Sequence, residues 1–187
     1  MMRLPAFSLL ACLLLALPPA SRAAPDRFHL TSPNFVEGGF IPVRFTGEGD
    51  NVPPRLQFED ESGAKSYALI VDDPDAPSGI FTHWLIWNIP GSLPSMNSDW
   101  VTLDLQNPHA PRDPKVDVQG VNDFGVTGYS GPKPPSGTHR YFFRLFALDT
   151  TLSLPSGASG RELETAIHGH VIGTAVLMGR YAKGGSQ

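Results

Sequence analysis

The sequence predicts a mostly β protein, an antiparallel β-sandwich with one helix near the C-terminus packed on it. From residue 28 onward, short runs rich in Val, Ile, Phe, Tyr and Trp alternate with clusters of Gly, Pro, Asn, Asp and Ser. This spacing is typical of sandwich strands joined by turns. About 160 residues follow an N-terminal leader, which suffices for one domain with a substantial core. We therefore expect residues 25–187 to form a single domain.

Six segments of the sequence have the composition of β-strands, whereas the long stretch between the fourth and the fifth of them does not. Between residues 90 and 128, prolines and asparagines are scattered through the chain. Because proline removes a backbone donor, this stretch is predicted to be mostly loop, with short strands at most. The predicted strands cover residues 28–32, 39–46, 66–72, 82–88, 139–148 and 171–181.

The helix is predicted over about 160–168. Ser159 and Glu162 have the spacing of a capping box, in which each residue satisfies a backbone donor of the first turn. Leu163 and Ile167 lie four residues apart and so share one face, and Gly169 can end the helix. That apolar face should pack against the sandwich.

Residues 1–24 have the pattern of a secretory signal peptide. Arg3 precedes an apolar stretch at 7–17, and small residues lead to Ala23 and Ala24, where we expect cleavage. The apolar stretch is short for a membrane span, and no later window is long and apolar enough to be one. The sequence thus predicts an exported protein, periplasmic or secreted, that is not transmembrane.

Cys12, the one cysteine of the chain, lies inside this leader. The mature protein would therefore have no disulfide, and its stability would come from packing. Residues 9–12 also resemble a lipoprotein cleavage box, but the apolar stretch continues beyond them and few residues precede them. An ordinary signal-peptide residue is the preferred interpretation of Cys12.

The charge balance excludes nucleic acid as a partner. The formal net charge is -4. Cleavage of the leader removes Arg3 and Arg22, which reduces the 14 basic residues to 12 against 18 acidic ones and gives a net charge of -6. No basic cluster remains that would neutralise phosphates of a nucleic acid.

Two proline-rich turns each lead, within a few residues, to a histidine at the start of a strand. Residues 73–77 precede His83, and residues 131–135 precede His139. Successive strand residues point to opposite faces. Alternation then places Tyr141 on the face of His139, and Leu85 and Trp87 on the face of His83. Rigid turns that hold titratable groups beside apolar rows predict one small polar pocket.

The pocket would combine Asp73, at the end of its strand, with the two imidazoles and the Tyr141 phenol. Such groups, together with loop N–H donors, can bind an anion such as phosphate. The Asp73 charge should favour the imidazolium form of His83 or His139, so binding should weaken as pH rises through that pKa. For Asp75, a turn role in which it accepts backbone N–H groups is an equal alternative to ligand contact.

Two catalytic alternatives have weaker patterns. Two histidines and a carboxylate would suit iron or a catalytic zinc, but no HxH or HExxH spacing places two ligands on one element. Ser130 lacks the GxSxG elbow of a serine hydrolase. We therefore predict no catalytic residue, no metal and no cofactor. Surface or packing roles are expected for the remaining histidines, at positions 29, 109, 168 and 170.

Several motifs follow one another through the chain: NVPPRL at 51–56, KSYAL at 65–69, DPDAP at 73–77 with HW at 83–84, NDFG at 122–125, GYSGP at 128–132 with HRYFF at 139–143, and GRY at 179–181. On these motifs the sequence resembles the phosphatidylethanolamine-binding protein family, known also for Raf kinase inhibitor protein, and is most similar to its bacterial branch. The resemblance spans nearly the whole mature chain. It implies an antiparallel β-sandwich flanked by a helix, with a shallow pocket for phosphate-containing or acetate-like anions.

The resemblance also implies which residues form that pocket, and that Pro77 or Pro132 follows a cis peptide bond. At position 133, bacterial relatives often have cysteine between the two prolines, so no thiol chemistry carries over to Lys133. The segment at 100–119 departs from the family pattern. The implied ligand-binding residues are Asp73, His83, Gly131, Pro132, His139 and Tyr141, with Asp75, Ala76 and Pro77 lining the pocket.

Three functions follow in order of preference. The first is an exported, non-enzymatic binding protein for a phosphorylated head group such as that of phosphatidylethanolamine, or for a similar small anion. The second is an inhibitor or signalling protein that acts through the loops around the pocket, including 90–128, on an envelope or extracellular protein partner. The third is a metal-dependent enzyme. Fold resemblance by itself does not choose among them.

Overall fold

The computed structural model describes residues 28–61, 63–91, 100–103 and 117–184. The predicted signal peptide, Cys12 and His109 lie outside these residues, as do large parts of the predicted loop at 90–128. Among the described residues, no helix is both long and apolar enough to cross a membrane.

The described chain forms two antiparallel sheets and one α-helix. Three strands build the smaller sheet in the order β1-β2-β5, and five build the larger in the order β6-β4-β3-β7-β8. This confirms the predicted mostly β, antiparallel fold with a helix. The elements are β1 Leu30–Thr31, β2 Leu56–Glu59, β3 Ser66–Asp73, β4 Phe81–Ile89, β5 Trp100–Leu103, β6 Val118–Gln119, β7 Thr138–Leu148, α1 Gly160–Ile167 and β8 Val171–Ala182.

Four of the predicted strands coincide with β3, β4, β7 and β8, and the first is shortened to β1. The strand predicted at 39–46 is wrong, because residues Val43–Phe45 form a 3₁₀ turn instead. Pro42 has no N–H for a ladder, and Thr46 closes the turn through its backbone N–H and its hydroxyl, which both donate to the Val43 carbonyl. Phe40 alone bridges to Arg180 of β8.

The centre of the larger sheet is covered on both faces, and β3 shows this most clearly because all eight of its residues are buried. Tyr67, Leu69 and Val71 face the smaller sheet, where the larger apolar cluster lies. Ala68 and Ile70 face the other way, into a second cluster. The strand is central in its sheet and has no solvated face.

Helix α1 covers that second cluster, as predicted. Its buried residues are Leu163 and Ile167, and both sides of the capping box between Ser159 and Glu162 are formed. The Glu162 carboxylate accepts the Ser159 backbone N–H at 2.8 Å. The helix thus covers the centre of the sheet face opposite the smaller sheet.

Candidate functional site

A cavity of about 190 Å³ opens where β3 ends and where β4 and β7 begin. It combines charged, aromatic and proline side chains. Of the nine predicted site residues, Asp73, Ala76, Pro77, His83, His139 and Tyr141 line it, whereas Asp75, Gly131 and Pro132 do not. The cavity is completed by residues that were not predicted to bind the ligand: Ser78, Phe81, Phe124, Lys133, Pro134 and Pro135.

Asp73 and His139 form a buried pair at the base of this cavity. His139 Nδ1 lies 2.6 Å from Asp73 Oδ2, and 9% and 5% of the two side chains are exposed. The other oxygen of Asp73 accepts the backbone N–H of Asp75 at 2.8 Å. Because both carboxylate oxygens have partners, the imidazole of His139 is held in one orientation, with Nδ1 toward Asp73.

A β-bulge in β4 turns His83 into the cavity. Val71 of β3 pairs with Trp84, whereas the next residue of β3, Asp72, pairs with Thr82. His83 is thus the extra residue of the bulge, and its ring contacts Tyr141 edge-on at 5.2 Å. Bulges beside functional sites commonly redirect one side chain in this way.

The predicted face of His83 is therefore wrong. Leu85 and Trp87, which strict alternation placed beside it, belong to the cluster under α1. His83 instead lies on the side of Tyr141. Strict alternation of faces requires that each residue of β3 pairs with one residue of β4. The bulge adds one residue to β4, so the side chains on its two sides no longer alternate in one continuous series.

Of the two histidines expected to favour the imidazolium form, His83 does not. Burial lowers the pKa of His83 below its ordinary value, and the Ser130 carbonyl and the Asp73 carboxylate only partly offset this. Nδ1 donates to the Ser130 carbonyl at 2.7 Å. The neutral ring consequently carries its proton on Nδ1, which leaves Nε2 as an acceptor.

Tyr141 lines the cavity, and its buried hydroxyl makes no hydrogen bond of ordinary length with another described residue. The side chain is fully buried, and the Asp73 carboxylate is the acceptor near enough to act on the hydroxyl. Burial, and then the negative charge of Asp73, raise the pKa of Tyr141 above its ordinary value. The hydroxyl therefore stays protonated. Buried polar atoms normally have a partner, so an unsatisfied donor in a cavity indicates a place for a ligand atom.

Phe81 and Phe124 line the cavity beside His83. Their rings meet edge-on at 4.7 Å, and Phe124 also lies 5.4 Å from the His83 ring. The buried Asn122 fixes the Phe124 loop, since its Oδ1 accepts the backbone N–H groups of Phe124 and Val126. Residues 122–125 were recognised from the sequence only as part of a family motif. A strong Asx-turn signal at Asn122 could have identified this loop.

Asp75 lies outside the cavity lining and binds Arg140 instead. Its Oδ2 accepts the backbone N–H and the Nε–H of Arg140 at 2.9 Å each, and its Oδ1 accepts from Nη2 at 2.7 Å. The Arg140 guanidinium lowers the pKa of Asp75 to about 2. Asp75 thereby ties the 73–77 turn to β7, beside His139.

Gly131 and Pro132 lie behind the cavity and support the segment that lines it. The Gly131 N–H donates to Asn51 Oδ1 at 2.7 Å, and the Pro132 carbonyl accepts the Gly47 N–H at 2.9 Å. A Cβ on Gly131 would lie 2.5 Å from the Phe45 carbonyl oxygen, so glycine is required for this approach. The 3₁₀ turn that replaces the predicted strand thus backs the 131–135 segment.

The implied cis peptide bond is not present at either candidate proline. The described residues contain no cis bond, so Pro77 and Pro132 both follow trans bonds. Trans is the lower-energy isomer of an X–Pro bond by roughly 0.5–1 kcal/mol. The first turn ends in an ordinary backbone hydrogen bond from the Gly79 N–H to the Ala76 carbonyl at 3.0 Å.

The remaining histidines that the structure describes lie away from the cavity. His29 pairs with Glu59 and His170 with Asp149, both at the exposed surface. Within the part of the chain that is described, no three His, Cys, Asp or Glu side chains converge as a metal site would require.

Comparison with known proteins places this geometry in a family. The family model described as phosphatidylethanolamine-binding protein matches residues 31–182. A UPF0098 protein of Methanothermobacter thermautotrophicus is 50% identical over 157 residues, which cover 83% of this chain and 99% of that protein. LppC of Mycobacterium tuberculosis, named as a candidate lipoprotein, is 39% identical over 166 residues, 87% of this chain and 75% of that protein.

Solved structures agree with the sequence relatives. A homolog of phosphatidylethanolamine-binding protein from Chlamydia trachomatis, CT736, superposes with a TM-score of 0.71 at 36% identity and covers 84% of this chain and 99% of its own. YbcL of E. coli, described as a member of the mammalian family, gives a TM-score of 0.71 at 31% identity, with 83% and 98% covered. The chain therefore belongs to the phosphatidylethanolamine-binding protein family.

Proposed function

We propose that this protein is a non-enzymatic binding protein whose cavity takes the phosphoryl group of a small phosphorylated head group. The observation that carries the proposal is the buried Tyr141 hydroxyl, which has no partner among the described residues and lies beside the Asp73–His139 pair. A phosphoryl oxygen would satisfy this donor. A hydrogen bond from a fixed donor to a charged oxygen is stronger than one between neutral groups.

The size of the cavity favours a head group over a larger molecule. Pockets for drug-sized ligands measure about 300–1,000 Å³, whereas this cavity measures about 190 Å³. A phosphoryl group with a short substituent suits this volume, and acyl chains would have to stay outside. Phosphoethanolamine is therefore a suitable probe.

Both histidines can contribute to the binding of an anion. His139 keeps Nδ1 toward Asp73, so its Nε2 is the ring nitrogen left to act on a ligand. His83 is neutral in the free protein, and a bound anion would favour its imidazolium form. Anion binding should thus take up a proton, and affinity should fall as pH rises.

The surroundings of Ser130 support a role without catalysis. Its hydroxyl accepts a hydrogen bond from Asn122 Nδ2 at 2.9 Å, and its carbonyl accepts from His83. The imidazole is thus engaged by the backbone of Ser130 and does not activate its hydroxyl as a base would. We expect no turnover of phosphate or carboxylate esters by the purified protein.

Ring NMR of the histidines tests the binding proposal. Titration with phosphoethanolamine should shift the resonances of His83 and His139. The exposed His29 and His170 serve as internal references, because neither lines the cavity. Unchanged His83 and His139 resonances at millimolar ligand would refute the proposal.

We further propose that the chain is exported and that its leader is cleaved near Ala23 or Ala24. The leader pattern at 1–24 supports this. The name of the mycobacterial relative, a candidate lipoprotein, keeps cleavage before Cys12 as the alternative. The intact mass of the protein recovered from the envelope or the medium separates them. A lipidated chain that begins at Cys12, or an uncleaved chain in the cytoplasm, would contradict the proposal.

A second candidate function is inhibition or signalling through a protein partner. Ile80, Phe124 and Val126 are 70%, 49% and 49% exposed and lie on two loops joined through Thr82 and Asp123. Neighbouring exposed apolar side chains are typical of interaction surfaces. Envelope proteins retained by the wild type should be lost with Phe124→Ser. Equal retention by both would count against this function.

A further inference from the structure

Lys133 differs from the other residues that line the cavity. Among the described residues of the lining, it is the one lysine or arginine, and Asp73 is the one carboxylate. Without Lys133, no permanent positive charge in the lining would offset Asp73 when an anion enters. The chemistry of anion binding therefore depends on what this side chain does.

The backbone around Lys133 is fixed. It lies between Pro132 and Pro134, which restrict its backbone, and the Pro132 carbonyl is held by the Gly47 N–H. Pro132 and Pro134 are both buried, whereas Lys133 is exposed. The segment consequently presents the lysine from a rigid support.

The aliphatic part of the Lys133 side chain is held in place as well. A Cβ on Gly47 would lie 3.2 Å from both Cβ and Cδ of Lys133, so the lysine stem runs along the bare backbone of Gly47. No ion pair joins Lys133 to another described residue. Lys133 thus lines the cavity from a fixed stem, and Asp73 is the one carboxylate of the lining that could compete with a ligand for its ammonium group.

We infer that Lys133 pairs with the anionic group of the ligand and shifts the preference of the cavity toward doubly charged phosphomonoesters over singly charged phosphodiesters. The inference rests on the proposed function. The interaction free energy of two charges is proportional to the charge of each, so one lysine contributes about twice as much for a dianion as for a monoanion. When the lysine is removed, the factor by which affinity falls for the dianion is then the square of the factor for the monoanion.

Calorimetric titration with two simple probes tests this. Methyl phosphate is a dianion at about pH 7.5 because the second pKa of a phosphomonoester is about 6, whereas dimethyl phosphate is a monoanion. Each is titrated into the wild type, Lys133→Met and Lys133→Arg. Lys65→Met is the matched control, because it removes the same charge at the start of β3, opposite the end that carries Asp73.

We expect Lys133→Met to weaken the binding of methyl phosphate about tenfold and the binding of dimethyl phosphate about threefold. These are the sizes expected for a partly exposed charge pair. The affinities of Lys133→Arg and Lys65→Met for both probes should stay within about twofold of the wild-type values. Equal losses for the two probes, no loss, or the same loss in Lys65→Met would each overturn the inference while the proposed function stands. Failure of the wild type to bind either probe would remove the proposed function and this inference with it.

Discussion

Asp73 Oδ2 and His139 Nδ1 lie 2.6 Å apart although 66 residues separate them in the chain. The antiparallel pairing of β3 with β7 brings the end of one strand to the start of the other. Both side chains are almost fully buried, and the pair sits at the base of the cavity. It therefore links the stability of the fold to the shape of the site.

Asp73→Ala should lower the free energy of unfolding by about 1–3 kcal/mol, because it leaves His139 Nδ1 and the Asp75 N–H without their buried acceptor. Urea denaturation measures the change. Glu164→Ala, at an exposed position of α1, is a control for loss of one carboxylate. If Asp73→Ala unfolded at the same urea concentration as the wild type, the Asp73–His139 pair would not contribute to stability.

Tyr141→Phe should move stability and affinity in opposite directions. The change removes a buried hydroxyl that has no partner among the described residues, so the free energy of unfolding should stay unchanged or rise by about 1 kcal/mol. Affinity for phosphoethanolamine should fall about tenfold or more, since a hydrogen bond to a charged group is lost. Calorimetry and thermal melting give the two values. A destabilised variant with normal affinity would assign Tyr141 to the fold alone.

His83 should make the protein less stable in mild acid. Burial lowers its pKa in the folded state, so the unfolded chain, with a pKa of about 6.5, binds the proton more readily. Stability should therefore fall as pH decreases below about 6.5, down to the folded pKa of His83.

His83→Asn isolates this contribution, because asparagine can still donate to the Ser130 carbonyl. The difference in unfolding free energy between wild type and variant should change across the mildly acidic range. His170→Asn, at an exposed pair, provides the comparison. A difference that is constant with pH would show that His83 is not held neutral by burial.

Asp75→Asn should affect the turn and not the ligand. Its pair with Arg140 is partly exposed, so we expect a loss of only about 0.5–1 kcal/mol in unfolding free energy. The lowered pKa of about 2 means that this contribution is present above about pH 4 and disappears as pH falls toward 2. Affinity for phosphoethanolamine, by calorimetry, should stay within about twofold. A large loss of affinity would place Asp75 in the binding site.

The elements that sequence reasoning located are those with strong local signals. The apolar runs of β3, β4, β7 and β8 and the capping box of α1 are visible without tertiary information. The wrong strand at 39–46 has the right composition, but Pro42 interrupts it. Strands β2, β5 and β6 are short, and their pairing depends on partners distant in the chain.

The site was predicted less completely than the fold for a similar reason. Six of the residues named from the sequence line one cavity, because strand ends and proline turns are local features. The orientation of His83 depends on a bulge, which appears only in the pairing of β3 with β4. Phe124 and Lys133 reach the cavity because the residue before each of them bonds to a distant segment. Asp123 accepts the Thr82 N–H and Pro132 accepts the Gly47 N–H, and no periodicity in the sequence reports these contacts.

A crystal structure of the mature protein with phosphoethanolamine would show whether the cavity binds a phosphoryl group. We expect a phosphoryl group in the cavity, with one oxygen at hydrogen-bond distance, about 2.5–3.0 Å, from the Tyr141 hydroxyl and another within reach of His139 Nε2. An empty cavity at saturating ligand, or a phosphoryl group bound elsewhere while Tyr141 stays unpartnered, would contradict it.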